Sequence, residues 1–178
     1  HVLDEPNAYN PFLARFYESP RRWALASQLH FLAEKTRLLS GLSSRTESII
    51  QDRSLWEDAE IFAAQLHADG HLDAEEYRVY RTLYSAIEPM APAPDLLVYL
   101  RCPPRVLLSR IEQRARTEES LIDPTYVRSL HRRYERWYDR YDRGPKTTLS
   151  TDKLDPVTNL VDSTTVLSTL APYLDQRA

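Results

Sequence analysis

One cysteine, Cys102, is the whole thiol complement of the chain, so no disulfide can close within it, and such usage suits a reducing cytosol. Glycine is nearly as scarce. Gly41, Gly70 and Gly144 stand far apart, and no phosphate loop of the form G-x-x-x-x-G-K-[ST] occurs in the 178 residues. No apolar run approaches the roughly 20 residues that span a bilayer, and no secretory signal pattern is visible. The net charge is only −3 with 28% charged residues, which argues for a solvated surface and against a general nucleic-acid binder. The expectation is a soluble, cytoplasmic protein. Its 42% hydrophobic content can fill one sizeable core, so residues 1–178 read as a single domain.

What is present is organised around residues 49–62. The apolar pair Ile49-Ile50 reads as a buried parallel strand, since such strands favour β-branched residues on both faces. It stops at Asp52 and Arg53. Ser54 then serves as a helix cap, and Glu57 three residues on completes a capping box. In open α/β sheets, ligands sit beyond the carboxyl ends of the strands, where Asp52 and Arg53 would stand. The alternative for this dipeptide is a surface ion pair. Val2-Leu3 reads as a second strand, halted by Pro6, which cannot donate to a ladder. Glu5 is therefore another carboxylate at a strand end, and if the strands are neighbours both acids face one cleft.

The rest of the chain alternates between helix and strand. Residues 10–17 form a short helix, and a longer one starts at Ser19-Pro20 and runs to about Ser40, with Gly41 as its stop. On it Ala24, Gln28, Phe31 and Lys35 share a face. An amide beside a ring can read and stack a nucleobase, although Phe31 as core and Gln28 as surface is the bland alternative. Residues 55–68 are helical, with Asp58 and Phe62 four apart on one side. His67 and His71 straddle a glycine turn with no further ligand cluster, which does not support a metal site. A helix with the stripe Tyr77, Tyr80, Leu83, Tyr84 and Ile87 follows, then a buried strand over residues 96–100 and a helix opened by Pro103-Pro104. A long helix covers residues 124–142, a strand residues 146–150 and a last helix residues 157–174. This alternation predicts α/β architecture, a parallel sheet with helices on both faces. Arg110, Arg114 and Arg116 cluster near one helix end. Guanidinium groups suit bidentate phosphate contacts, while a solvated face or pairing with Glu112 is the alternative. The aromatics between the later arginines follow core spacing, so no nucleic-acid partner is expected.

The order of these segments closely resembles the deoxynucleoside kinase family. Asp52-Arg53-Ser54 matches its Asp/Glu-Arg-Ser motif. The likeness also runs through Tyr17-Glu18-Ser19-Pro20-Arg21-Arg22-Trp23, Gln28, Tyr99-Leu100-Arg101 and the stretch from Arg110 to Glu119. It implies a P-loop kinase-like fold with a helical lid. The implied activity is ATP-dependent phosphorylation of the 5′-hydroxyl of a deoxyribonucleoside in nucleotide salvage. Asn10-Pro11-Phe12-Leu13 resembles the bacterial deoxyadenosine and deoxyguanosine kinase branch, which favours a purine.

The resemblance also implies roles. Glu5 is the general base, Arg53 holds the 5′-oxygen and phosphate region, and Asp52 helps place Mg²⁺ through water. Arg110, Arg114 and Arg116 are lid arginines over the ATP phosphates. Tyr17 and Glu119 take the sugar 3′-hydroxyl, while Gln28, Phe31, Asp58 and Phe62 line the base pocket. Lys35 stands where relatives often carry Arg, which leaves base preference open. Residues 151–155, including Asp152 and Leu154, match the adenine-contact region. The family places its phosphate loop before the first strand seen in this chain, so a strand–loop–helix piece upstream of His1 is expected. The rival readings are a non-catalytic kinase-like partner subunit and a nucleoside monophosphate kinase. A homodimer or heterodimer through helices is expected.

Overall fold

Residues 1–4, 10–42, 47–116, 121–156 and 158–174 are described by a computed structural model. Strand β1 (Val2–Leu3) pairs in parallel with β2 (Ile50–Gln51), Val2 opposite Ile50 and Leu3 opposite Gln51. One more ladder bond, from Asp52 N–H to Leu3 O at 2.9 Å, carries the pairing past the formal strand end. Strand β3 (Leu97–Arg101) pairs in parallel with β4 (Lys146–Ser150), from Leu97 opposite Lys146 to Arg101 opposite Ser150. Parallel neighbours need long crossovers, and helices supply them here.

Between β1 and β2 lie α1 (Leu13–Glu18) and α2 (Pro20–Leu42). After β2 comes a helical run in three parts: α3 (Leu55–Glu57), a π-helical segment (Asp58–Ala63) and α4 (Ala64–Ala68). Helix α5 (Ala74–Ile87) precedes β3, α6 (Pro104–Arg114) and α7 (Pro124–Arg140) precede β4, and α8 (Leu160–Leu174) follows it. The core is built where α2, the three-part run, α5 and α7 meet. Ala24, Leu55, Ala59, Ile61, Leu66, Tyr80 and Tyr84 are almost fully buried in it, with Trp137 and Tyr141 closing one side. Ala24 and Ala59 matter by their size, because small residues let α2 and the π segment approach closely.

Four expectations are corrected. Strand β2 begins at Ile50, not Ile49, and Ile50 is 69% exposed, so the buried-strand reading fails there. The physical reason is that β1 and β2 form a sheet of only two strands, one face of which no described element covers. Val2, the partner of Ile50 on β1, is exposed for the same lack of cover. Helix α2 passes through Gly41 instead of stopping at it. Helix α1 starts at Leu13, because the amide of Asn10 reaches Ser27 while its carbonyl oxygens take Phe12 N–H and Leu13 N–H, which holds the preceding turn off the helix. The run over residues 55–68 has the expected limits, but its middle is π-helical.

Candidate active site

The site starts at the turn that ends β2. Arg53 has φ 58°, the left-handed region that non-glycine residues adopt only at a cost. Two side chains hold it there. Arg53 O accepts from Lys35 Nζ at 2.6 Å and from Gln51 Nε2 at 2.8 Å, and Asp52 O accepts from Lys35 Nζ at 3.1 Å. The Arg53 guanidinium lies over the Phe62 ring at 4.8 Å, a cation–π geometry. Asp52 turns its side chain to solvent.

Ser54 is extended and caps α3, accepting from Trp56 N–H at 3.2 Å. The buried Glu57 carboxylate closes the capping box by accepting from Ser54 N–H at 2.8 Å and from the Ser54 hydroxyl. Burial pushes the Glu57 carboxyl up from the ordinary range, against the opposing pull of Ser54 and of the positive Lys35 and Arg53. The cap fixes where the helix begins, and so where Asp58 and Phe62 fall.

Both of those residues lie on the π segment. The extra residue per turn of a π segment commonly marks functional sites, and it places Asp58 and Phe62 about one turn apart. Asp58 is buried, and Phe62 meets Tyr134 edge to face at 6.1 Å. From the facing helix α2 come Gln28, Phe31 and Lys35, all buried. The Gln28 Oε1 atom has no hydrogen-bond partner among the described residues, an acceptor that a ligand donor would satisfy. Tyr80, also buried, has its phenol pushed far up by burial and by the charge of Asp58.

A cavity of about 240 Å³ is lined by Phe16, Tyr17, Leu66, Asp69, His71 and Tyr126 among others, and of the residues assigned to the substrate only Tyr17 is in its lining. It joins Tyr17 to Tyr126, whose phenol is pushed up by burial and then by Tyr17 and Asp69. The helical spacing of Tyr126 reads as core, and nothing in the sequence marks it as a cavity residue.

Arg110 ties α6 to the segment after β4. Its Nη2 donates to Thr151 O at 2.6 Å and to Leu154 O at 3.3 Å, and its Nη1 to Thr151 Oγ1 at 3.4 Å. One arginine therefore touches the loop that holds Asp152 and Leu154. Arg114 ends α6, Ala115 follows in the left-handed region at φ 48°, and Arg116 comes next, all three exposed. Glu5 and Glu119 lie outside the described residues.

Lys35, expected at the base, has its ammonium on the two carbonyls of the turn instead. That role was not legible, since it depends on contacts between residues 17 and 18 apart. The His67 ring stacks on Tyr77 at 4.4 Å and bonds Leu72 O at 2.9 Å, a structural use. Among the described residues no three His, Cys, Asp or Glu side chains converge as a metal cluster. A single exposed carboxylate such as Asp52 does fit Mg²⁺ that keeps most of its water. No helix of the described residues is long and apolar enough to cross a membrane.

Comparison with known proteins bears on this arrangement. The family described as "Deoxynucleoside kinase" matches residues 1–173. A deoxyadenosine/deoxycytidine kinase of Bacillus subtilis (strain 168) is 34% identical over 163 residues, covering 86% of this chain and 75% of the relative. A deoxyguanosine kinase of Lactobacillus johnsonii is 35% identical over 177 residues, covering 94% and 78%. Among solved structures, a deoxyadenosine kinase from M. mycoides with bound dATP superposes with a TM-score of 0.82 at 26% identity, covering 96% of this chain and 86% of that one.

Proposed function

The chain belongs to the deoxynucleoside kinase family, and from that premise we infer that it phosphorylates the 5′-hydroxyl of a deoxyribonucleoside with ATP, a purine deoxynucleoside foremost. The observation that carries this reading is the family match over residues 1–173, reinforced by relatives named deoxyadenosine/deoxycytidine, deoxyguanosine and deoxyadenosine kinases.

The reaction needs alignment, charge neutralisation and a base. The 5′-oxygen forms a bond to the γ-phosphorus as the bond from that phosphorus to the bridging oxygen of ADP breaks, and the hydroxyl proton passes to a carboxylate. We assign that carboxylate to Glu5. Parallel pairing of β1 with β2 supports the assignment, because it puts the carboxyl ends of both strands on one side, with Asp52 N–H bonded to Leu3 O. Arg53 holds the 5′-oxygen and the phosphate region. Gln28 and Asp58 pair with the base while Phe31 and Phe62 pack on it, and Tyr17 and Glu119 take the 3′-hydroxyl. Arg110, Arg114 and Arg116 neutralise the transferring phosphoryl, and the loop of Asp152 and Leu154 takes the adenine of ATP. Mg²⁺, held near Asp52 through water, supplies charge screening between the phosphates when bound.

ATP binding also calls for a phosphate loop, which the 178 residues do not contain. We place it on a further strand of the parallel sheet. The reading frame upstream of His1 tests this placement, with strand, G-x-x-x-x-G-K-[ST] and helix expected within roughly 25–40 residues. A frame without that lysine would favour a non-catalytic partner subunit. A monophosphate acceptor is disfavoured, since the Glu5 carboxylate would repel it. A dimer through helices and a cytoplasmic location complete the proposal.

The direct experiment incubates the full-length protein with ATP, Mg²⁺ and each of deoxyadenosine, deoxyguanosine, deoxycytidine and thymidine, and follows nucleoside 5′-monophosphate by chromatography. The purine deoxynucleosides are expected to give the highest kcat/KM. Phosphorylation of thymidine or deoxycytidine alone would overturn the purine assignment, and no product from any of them would overturn the catalytic one.

A further inference from the structure

Lys35 is only 1% exposed, which is unusual for an ammonium, because a buried charge is costly unless it is well paired. Its partners are main-chain oxygens: Asp52 O at 3.1 Å and Arg53 O at 2.6 Å, with the Glu57 carboxylate as the nearby negative charge. The second of those carbonyls belongs to a residue with φ 58° and also accepts from Gln51 Nε2 at 2.8 Å. A left-handed arginine persists only where its surroundings over-determine the conformation. Here two donors converge on its carbonyl, one from α2 and one from β2.

We propose that Lys35, through its bond to the Arg53 carbonyl, is a positioning residue that holds the turn in the conformation presenting the Arg53 guanidinium over Phe62. The inference rests on the proposed kinase reading and deepens it. Helix α2 carries Gln28 and Phe31 two turns and one turn before Lys35, all buried. The helix that faces the base thus also sets the shape of the turn at the reacting end. Lys35 acts on transfer, while Gln28 and Asp58 act on the choice of base.

Lys35→Met keeps the length and apolar stem of the side chain and removes the donors. In the full-length protein it is expected to lower kcat about 10–100-fold, since a small misplacement of a positioned group costs up to about 10²-fold. The KM for deoxyadenosine and the ranking of nucleosides should stay as in the wild type. Gln51→Leu removes the second, more accessible donor and should give a smaller loss of the same kind. The deciding readout is the cycle with Arg53→Ala. If Lys35 works through Arg53, Lys35→Met adds no further loss on the Arg53→Ala background. An equal further loss on that background would overturn the proposal, as would an altered nucleoside ranking with kcat unchanged. Should Lys35→Met fail to fold, Gln51→Leu crossed with Arg53→Ala answers the same question, non-additive loss supporting the proposal and additive loss overturning it. Wild-type kcat in Arg53→Ala would instead sink the kinase assignment of the turn itself.

Discussion

Two charged clusters, one in the turn before the three-part helical run and one within that run, are handled in different ways. Around Glu60, the chain answers its own charges. The carboxylate accepts from Trp137 Nε1 at 2.7 Å, Arg143 Nη2 at 2.7 Å and Tyr84 OH at 3.1 Å, and Arg143 also reaches Glu88 at 3.0 Å. Helices α5 and α7 are thereby joined to the π segment. At the turn after β2, Lys35 and Gln51 donate to the main-chain carbonyls of Asp52 and Arg53. The Arg53 guanidinium rests on a ring, and Asp52 faces solvent. The backbone at Arg53 is left-handed and strained, whereas Glu60 lies within the π segment at negative φ. The difference teaches where to look for chemistry. The bonds of Glu60 tie elements together, and the proposed chemistry is placed at the turn whose left-handed backbone is clamped from two sides.

The largest expected effect breaks the presented side. Arg53→Ala should lower kcat about 10²–10³-fold, the usual loss when one donor to developing charge is removed. Its melting temperature should stay near that of the wild type, which calorimetry of the same preparation checks.

A second substitution separates reading of the base from transfer. Asp58→Asn keeps shape but exchanges an acceptor for a donor. Loss of one charged hydrogen bond, about 1.5–3 kcal/mol, should shift the ratio of kcat/KM between deoxyadenosine and deoxyguanosine roughly 10–100-fold. An unchanged ratio would put Asp58 outside the pocket.

On the self-answered side, Glu60→Gln should cost stability and spare turnover. Weakening the bonds from Trp137, Arg143 and Tyr84 is expected to cost about 1–3 kcal/mol, and each kcal/mol lowers the melting temperature about 2–4 °C in a chain of this size. A drop in kcat at full stability would erase the contrast between the clusters.

The smallest effects are pH slopes of opposite sign. Burial raises the Glu57 carboxyl, so its contribution to stability is complete below the ordinary glutamate range and is lost as pH rises through the raised value. Asp73 caps α5, and the Glu76 N–H chiefly lowers its carboxyl. Its contribution is present above the ordinary aspartate range and is lost as pH falls through the lowered value. The melting difference between wild type and Glu57→Gln should therefore shrink towards high pH, and that between wild type and Asp73→Asn towards low pH. Parallel slopes would contradict the burial of Glu57.

Much of this contrast was legible before the structure. The capping box at Ser54 and Glu57 is a local signal with a local cause, so it marked the helix start and the turn before it. Alternation of apolar strands with helical periods gave the parallel architecture. The π segment was not legible, because a shift from i+4 to i+5 bonding leaves no mark in residue type. Neither was the exposure of Ile50, since a β-branched strand looks the same whether or not a layer covers it. The approach of Lys35 to the turn depends on the path of the chain between α2 and β2. Glu60 and Asp58 are both acids on the π segment, and only tertiary contacts show that Glu60 ties Trp137, Arg143 and Tyr84 together.

The most direct test of the account is the kcat of Glu5→Gln in the full-length protein, measured beside its nucleoside dissociation constant. The substitution keeps size and removes the carboxylate that the proposed mechanism makes the proton acceptor. The account predicts that nucleoside binding survives while kcat with deoxyadenosine falls about 10²–10⁴-fold, the range typical of general-base catalysis. A Glu5→Gln enzyme that turns over at the wild-type rate would contradict it, and would move the reacting centre away from the β1–β2 end of the sheet.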